Sequence, residues 1–453
     1  MRACFILLFL IRPAFSLEMS YSLIDIENSK VITQKNSSQE MVLASVSKIF
    51  TNYYALKKLG AQFQFNTSLY YEGAIKENIL KGNIYLKGSG DPYLTSQHLN
   101  SFVHHLLKLG IRKIDGEFYI DDKSFPFSER INSLGLEDQP DNPSFGALNA
   151  DFNRIKLWQY GSETVAPLKH IKLTPKKVYS HGLRYRQLPS PSVNEFWQVN
   201  TEEPKIFSED IPTRHASYFT AELFRGMASN YGITLPSPKK KSLPKKATRI
   251  CSHKSLPLIR LSALSLEYSN NLMAESILLA AANLETSSPL SLKDSAKKMK
   301  SWYQKEFKNL KFKNTSFENG SGLSLKNTTS SQELAELLAN ISYDTFDERS
   351  FWSLLSISGH SGSLLKRLHS PEYAYHVFAK TGSLYFINNL AGYILTKSGK
   401  KLAFVIMTAD KRRNQLTSEN STKNKKLRDQ SRGWYRTSSK KIDELIKKWI
   451  SKY

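Results

Sequence analysis

Three short strings occur in one order along the chain: Ser45-Val46-Ser47-Lys48, Ser269-Asn270-Asn271 and Lys380-Thr381-Gly382-Ser383. A serine three residues before a lysine puts both side chains on one helical face, with the hydroxyl as nucleophile and the amine as its base. A second Ser/Asn pair and a Lys-Thr-Gly strand can complete an acyl-transfer site around them. Each string alone is weak. Ser-x-x-Lys recurs at Ser237–Lys240, Ser242–Lys245, Ser295–Lys298, Ser363–Lys366 and Ser438–Lys441, Ser-x-Asn at Ser418–Asn420, and Lys397-Ser398-Gly399 imitates the third string. Taken singly, Ser45/Lys48 reads as a polar helix start with a snorkelling lysine. Ser269 to Asn271 reads as a helix cap, and Lys380 to Gly382 as a strand entering a turn. Context separates the copies: Ser45 opens an apolar helix, Ser269 begins an apolar segment, and Lys380 sits in a strand before a hairpin.

The elements that must position these residues follow from periodicity. Residues 19–34 read as a β-hairpin, and 44–59 as a helix ended by Gly60, with Ser45 in its first turn. Its N-terminus favours negative charge developing near Ser45. Short strands and one helix are expected over 65–120, an irregular Pro- and Ser-rich stretch over 121–210, and a helix over 215–231. An exposed Lys/Pro linker follows at 237–246. From 256 the pattern turns helical, running through 266–283, 291–307 and 331–341. A strand over 377–382, a hairpin over 389–408 and an amphipathic helix over 440–449 complete the chain. Helices from both halves with an antiparallel C-terminal sheet predict one α+β domain, 17–70 with 256–453. An insertion over 71–255 interrupts it, mixed or β-rich, with a smaller β unit nested near 155–205.

Composition narrows the partners. The net charge of +24 favours anionic polymers or surfaces and lies partly in patches over 239–249 and 397–448, for which solvated surface is a slightly better reading than a specific anion site. No aromatic–basic nucleic-acid motif accompanies the charge. The ten histidines show no metal-ligand spacing, so no metal is expected and His360 reads as structural. No internal run is long and apolar enough to span a membrane. Met1-Arg2, the apolar stretch to Ile11 and Ala14-Phe15-Ser16 read as a cleaved export signal over 1–16. Cleavage would leave Cys251 as the single cysteine.

The ordered strings resemble those of the penicillin-binding proteins and serine β-lactamases. Their surroundings are similar to the DacB-type, class C low-molecular-mass D-alanyl-D-alanine carboxypeptidases/endopeptidases (peptidase family S13). The segments that carry the likeness are Phe63 to Leu69, Gly82 to Pro92, Asn319-Gly-Ser-Gly-Leu-Ser324, Ser358 to Leu364, Ala379 to Leu384 and Asn389 to Tyr393. The resemblance runs from about residue 20 to 410 and not into the basic tail. It implies a β-lactamase/transpeptidase-like fold, an antiparallel sheet flanked by helices and formed by both chain ends. It also implies a periplasmic serine D,D-peptidase acting on peptidoglycan stem peptides, inhibited by β-lactam antibiotics, with no cofactor.

By the same resemblance Ser45 attacks a D-Ala-D-Ala-type carbonyl, and Lys48, beside Lys380, is the base. Ser269 relays a proton to the leaving amine with help from Lys380, and Asn271 binds the substrate amide and orients Lys48. The backbone N–H groups of Ser45 and Ser383 form the oxyanion hole, and the Thr381 and Ser383 hydroxyls take the terminal carboxylate. The Asn319 to Leu323 and Gly359 to Ser363 segments shape loops. Asn270 stands where relatives often have Asp, Tyr268 where they carry a basic residue, and Ser361 where Asp is common. Glu137, Asp138 or Asp141 is expected to contact a diaminopimelate amine. Two other functions share parts of the pattern: a β-lactamase or esterase with the same acylation residues, and a catalytically silent wall-binding protein.

Overall fold

The computed structural model describes residues 17–134, 138–160, 163–176, 185–190, 192–200, 207–419 and 425–453. The proposed export segment 1–16 and Glu137 lie outside the described residues. Nine α-helices are found among the described residues: α1 (Ser47–Leu59), α2 (Ser96–Lys108), α3 (Ala216–Asn230), α4 (Leu258–Glu267), α5 (Asn271–Asn283), α6 (Leu292–Glu306), α7 (Ser331–Asn340), α8 (Lys411–Glu419) and α9 (Lys425–Lys452).

Both chain ends build one six-stranded antiparallel sheet. Its order is Lys30–Lys35, Glu18–Asp25, Lys401–Ala409, Ile387–Leu395, Val377–Leu384, Ser356–Ile357. The strands Ile387–Leu395 and Lys401–Ala409 are buried on both faces, which their near-continuous apolar sequence requires. Ala391, Tyr393, Ala403, Val405 and Met407 join a core with α1, α4, α5, α6 and α7. The alternate residues Leu390, Ile394, Leu402, Phe404 and Ile406 pack against Ile442, Ile446, Trp449 and Ile450 of α9. A helical layer thus covers each face of the sheet.

A second core lies in the middle of the chain. Its sheet runs Pro238–Lys240, Phe118–Asp121, Ile84–Lys87, Asn66–Tyr71, Thr248–Lys254, packed with α2 and α3. Two three-stranded sheets lie within 154–212. Residues 66–70, expected with the first unit, pair here with Lys87 to Tyr85 and with Arg249 to Lys254, and Leu69 is buried in this core. Conversely Phe125, Ile131, Phe145 and Ala147 pack into the first core, so the irregular segment around them lies against α5 and its neighbours.

Three expectations shift in detail. The helix expected through 266–283 is broken: α4 ends at Glu267, Ser269 takes a left-handed backbone (φ +57°), and α5 starts at Asn271. The first helix opens with a single 3₁₀ turn, Ala44–Val46, before α1. The terminal helix is longer than expected, at 28 residues.

Ile446 is fully buried between α9 and the sheet. Ile446→Ala should destabilise the protein by about 2–5 kcal/mol in urea denaturation, through lost burial and the cavity left behind. An unchanged midpoint would mean that α9 is not docked.

Candidate active site

Ser45 sits in the tight turn before α1, and the turn is clamped from two sides. Asn389 Nδ2 donates to the carbonyls of Val42 (2.8 Å) and Leu43 (3.0 Å), and Leu43 N–H donates to Asn327 O (2.8 Å). A Cβ on Gly322 (φ +82°) would fall 1.8 Å from the Ala44 oxygen, and one on Gly382 2.7 Å from the Leu43 oxygen. Glycine at both positions is what lets the loop and the sheet strand close on the turn. Ala44 is itself held at φ +48°, a strained value for a residue with a side chain.

One turn further on, Lys48 is fully buried. Its Nζ donates to Ser45 Oγ (2.9 Å), Asn271 Oδ1 (2.7 Å) and Ser321 O (2.9 Å). Burial brings its ionisation down to about 7, against upward pulls from Glu275 and Asp141. Desolvation, not a neighbouring cation, is therefore what moves it. At that value the amine is both a competent base and a donor near neutral pH.

Asn271 opens α5 with Asn270 as the N-cap, whose Oδ1 accepts from Met273 N–H at 3.0 Å. Asn271 Nδ2 donates to the Asp141 carbonyl (2.8 Å), so this residue links Lys48 to the inserted segment. Ser269, half-buried at the break between α4 and α5, lines a cavity of about 660 Å³ together with Ser45, Asn271, Asp141, Arg154 and Ser383. Its hydroxyl has no hydrogen-bond partner among the described residues.

The Lys-Thr-Gly strand forms the opposite wall. Lys380 is fully buried and held well below the ordinary lysine range by desolvation and by Lys48. Its Nζ donates to Thr381 O (2.9 Å), and no hydrogen bond joins it to Ser269 among the described residues. Thr381 Oγ1 donates to Ser363 Oγ (2.9 Å). Ser383 is exposed and lines the Ser45 cavity. Of the eight residues expected at the site, Ser45, Ser269, Asn271 and Ser383 line the cavity and Lys48 bonds two of them, while Lys380 reaches the site only through the charge of Lys48, and Thr381 bonds Lys380 and Ser363. Gly382 serves through its missing Cβ.

Sequence reasoning missed Glu275. It is fully buried, accepts from the N–H groups of Gly320 (2.7 Å) and Ser321 (2.9 Å), and so aims the Ser321 carbonyl at Lys48. Burial pushes its carboxyl up, while these hydrogen bonds and Lys48 oppose the shift. The available signal was an acid four residues after Asn271, on the same face of an otherwise apolar helix.

An antiparallel sheet between helical layers, with a half-buried serine bonded to a buried lysine against the Val377–Leu384 and Ile387–Leu395 strands, is the architecture of the penicillin-binding-protein class. The chain belongs to the D-Ala-D-Ala carboxypeptidase 3 (S13) family, whose profile matches residues 11–165 and 207–432, and it is a serine-type carboxypeptidase. That match reaches past residue 410, further than the motifs alone carried the resemblance. The chain is 29% identical over 407 residues to the D-alanyl-D-alanine carboxypeptidase DacB of Haemophilus influenzae, covering 84% of this chain and 83% of that protein. The crystal structure of penicillin-binding protein 4 (dacB) from Haemophilus influenzae superposes with a TM-score of 0.76 at 25% identity, over 93% of this chain and 96% of that one. A second structure of it is complexed with a β-lactam (TM-score 0.75, 25% identity, 94% and 96% covered). A predatory peptidoglycan endopeptidase from Bdellovibrio bacteriovorus shares the fold at 16% identity (TM-score 0.55, 96% and 93% covered).

Glu275→Ala would strip two buried amides of their acceptor and remove the anion facing Lys48. It should cost about 3 kcal/mol of stability in urea denaturation, with Glu275→Gln costing less. Equal stability of all three proteins would contradict the clamp.

Proposed function

We propose that this protein is an exported serine D,D-peptidase of the periplasm. It hydrolyses D-Ala-D-Ala and D-Ala-diaminopimelate bonds of peptidoglycan stem peptides through a Ser45 acyl-enzyme, and it is acylated by penicillin. The observation that supports this best is the 2.9 Å contact from Lys48 Nζ to Ser45 Oγ, made by a fully buried amine whose ionisation lies near 7. Neutral Lys48 takes the Ser45 proton as Oγ attacks the carbonyl carbon. The N–H groups of Ser45 and Ser383 receive the oxyanion. Ser269, with Lys380 behind it, passes a proton to the departing amine. Water then cleaves the ester and restores Ser45. The Thr381 and Ser383 hydroxyls take the terminal carboxylate of the substrate or of penicillin.

Asp141 is the contact we assign to a diaminopimelate amine, because it is exposed on the wall of the Ser45 cavity. The reading of residues 1–16 as an export signal places the enzyme where this polymer lies. The family and the DacB relatives support peptidoglycan peptidase chemistry.

Intact mass spectrometry with benzylpenicillin should show a long-lived adduct of one ligand mass, absent in Ser45→Ala. An adduct gone within seconds would point to a β-lactamase instead. No adduct on folded protein would contradict the acyl-enzyme. Because Lys48 must be neutral to accept the proton, acylation should slow about tenfold per pH unit below about 7 and level off above about 8.

A further inference from the structure

The basic tail, which the reaction above does not use, is built onto the site. α9 buries Ser431, Trp434, Ser438, Ile442, Ile446 and Trp449 along one side. Lys425, Arg428, Arg432, Arg436, Lys440 and Lys447 recur at steps of three, four, four, four and seven residues. At about 100° per residue these steps confine the six cations to one stripe, roughly 33 Å long. All are exposed except Arg428, which is half-buried.

The stripe has two informative ends. Its first four members line a cavity of about 820 Å³ that also takes in Asp141, Ser383 and Tyr385. Asp141 and Ser383 line the Ser45 cavity too, so the two cavities adjoin. At the far end Lys447 and Lys397 both approach the ring of Tyr373, at 5.2 and 5.9 Å, so the row passes from the helix to the hairpin turn. α9 carries ten lysines and arginines against three acids, of which Glu444 is exposed. Asp443 is engaged by Arg367 at 2.6 Å, and Asp429 stands 3.8 Å from Arg432.

We propose that this stripe is the docking track for polymeric peptidoglycan, an inference that rests on the peptidase reading of the Ser45 site. A row of cations this long matches a chain that presents carboxylates repeatedly, as stem peptides do along a glycan strand. One free stem peptide spans only the cavity end. A lipid surface is the poorer match, since a plane meets the exposed crest of the helix but cannot follow the row into a cavity. Docking raises the local concentration of cleavable bonds and does not alter the chemistry at Ser45.

Cosedimentation of the full chain with purified insoluble sacculi tests the track without requiring turnover. The protein should pellet at about 50 mM salt and largely dissociate at about 500 mM, as screening demands. Lys440→Glu with Lys447→Glu should lower the bound fraction at least about fivefold, and so should amidation of the sacculus carboxylates with a carbodiimide. Benzylpenicillin acylation of the same variant, measured in parallel, reports its fold and its Ser45 chemistry. Wild-type binding by the variant, indifference to amidation, or tighter binding to phosphatidylglycerol vesicles than to sacculi would each overturn the proposal. No penicillin acylation of the unsubstituted protein, with its sacculus binding intact, would instead count against the Ser45 reading.

Discussion

An ammonium sealed from water needs an acceptor for each of its three N–H groups, and Lys48 finds them on three separate pieces of chain. Ser45 lies in its own turn, Asn271 at the head of α5, and Ser321 in the loop between α6 and α7. These contacts span up to 273 residues of sequence. The sheet, the helical layer and the Asn319–Gly322 loop must all be in place before the amine is satisfied. When Lys48 loses a proton, Asn271 and Ser321 can keep its two remaining N–H groups, which leaves the lone pair facing Ser45. The same burial that makes the amine costly to charge makes it a base.

Supporting that arrangement requires strain and close approach. Ala44 and Ser269, each beside a reacting element, are held in left-handed backbone conformations that side chains disfavour. Gly322 and Gly382 press on the Ser45 turn where no Cβ fits. Asn389, Asn327 and Glu275 fix the backbone around it by side-chain hydrogen bonds. The inserted segment closes the site from outside, with the Asp141 carbonyl holding Asn271 and the Asp141 carboxylate near Lys48.

Much of this was legible in the sequence, for reasons that differ by element. The C-terminal hairpin and the helix that follows the Ser45 turn announce themselves by period, since burial on fixed faces imposes it. The three strings pointed to one site because their chemistry is local: spacing alone aligns Ser45 with Lys48, and Asn270 caps the helix that Asn271 opens. What stayed hidden depends on distant chain. The break at Ser269 was half hidden: no glycine or proline marks it, and only the capping string Ser269-Asn270-Asn271 interrupts the helical pattern. Glu275 looks like any helical glutamate until the Gly320–Ser321 amides are seen against it. The irregular 121–210 stretch carries no period, so Glu137, Asp138 and Asp141 were equal candidates until the cavity wall singled out Asp141. The placement of strand Asn66–Tyr71 in the second sheet was equally invisible, because one buried aliphatic side chain, Leu69, does not assign it to either core.

The central claim is that burial holds Lys48 near neutrality beside Ser45. Nuclear magnetic resonance titration of ¹³Cε-labelled lysine, with the Lys48 signal assigned through Lys48→Met, measures this directly. Its midpoint should fall near 7, far below the 10.5 of an exposed lysine. A midpoint close to 10.5 would show a permanently charged amine and contradict the account.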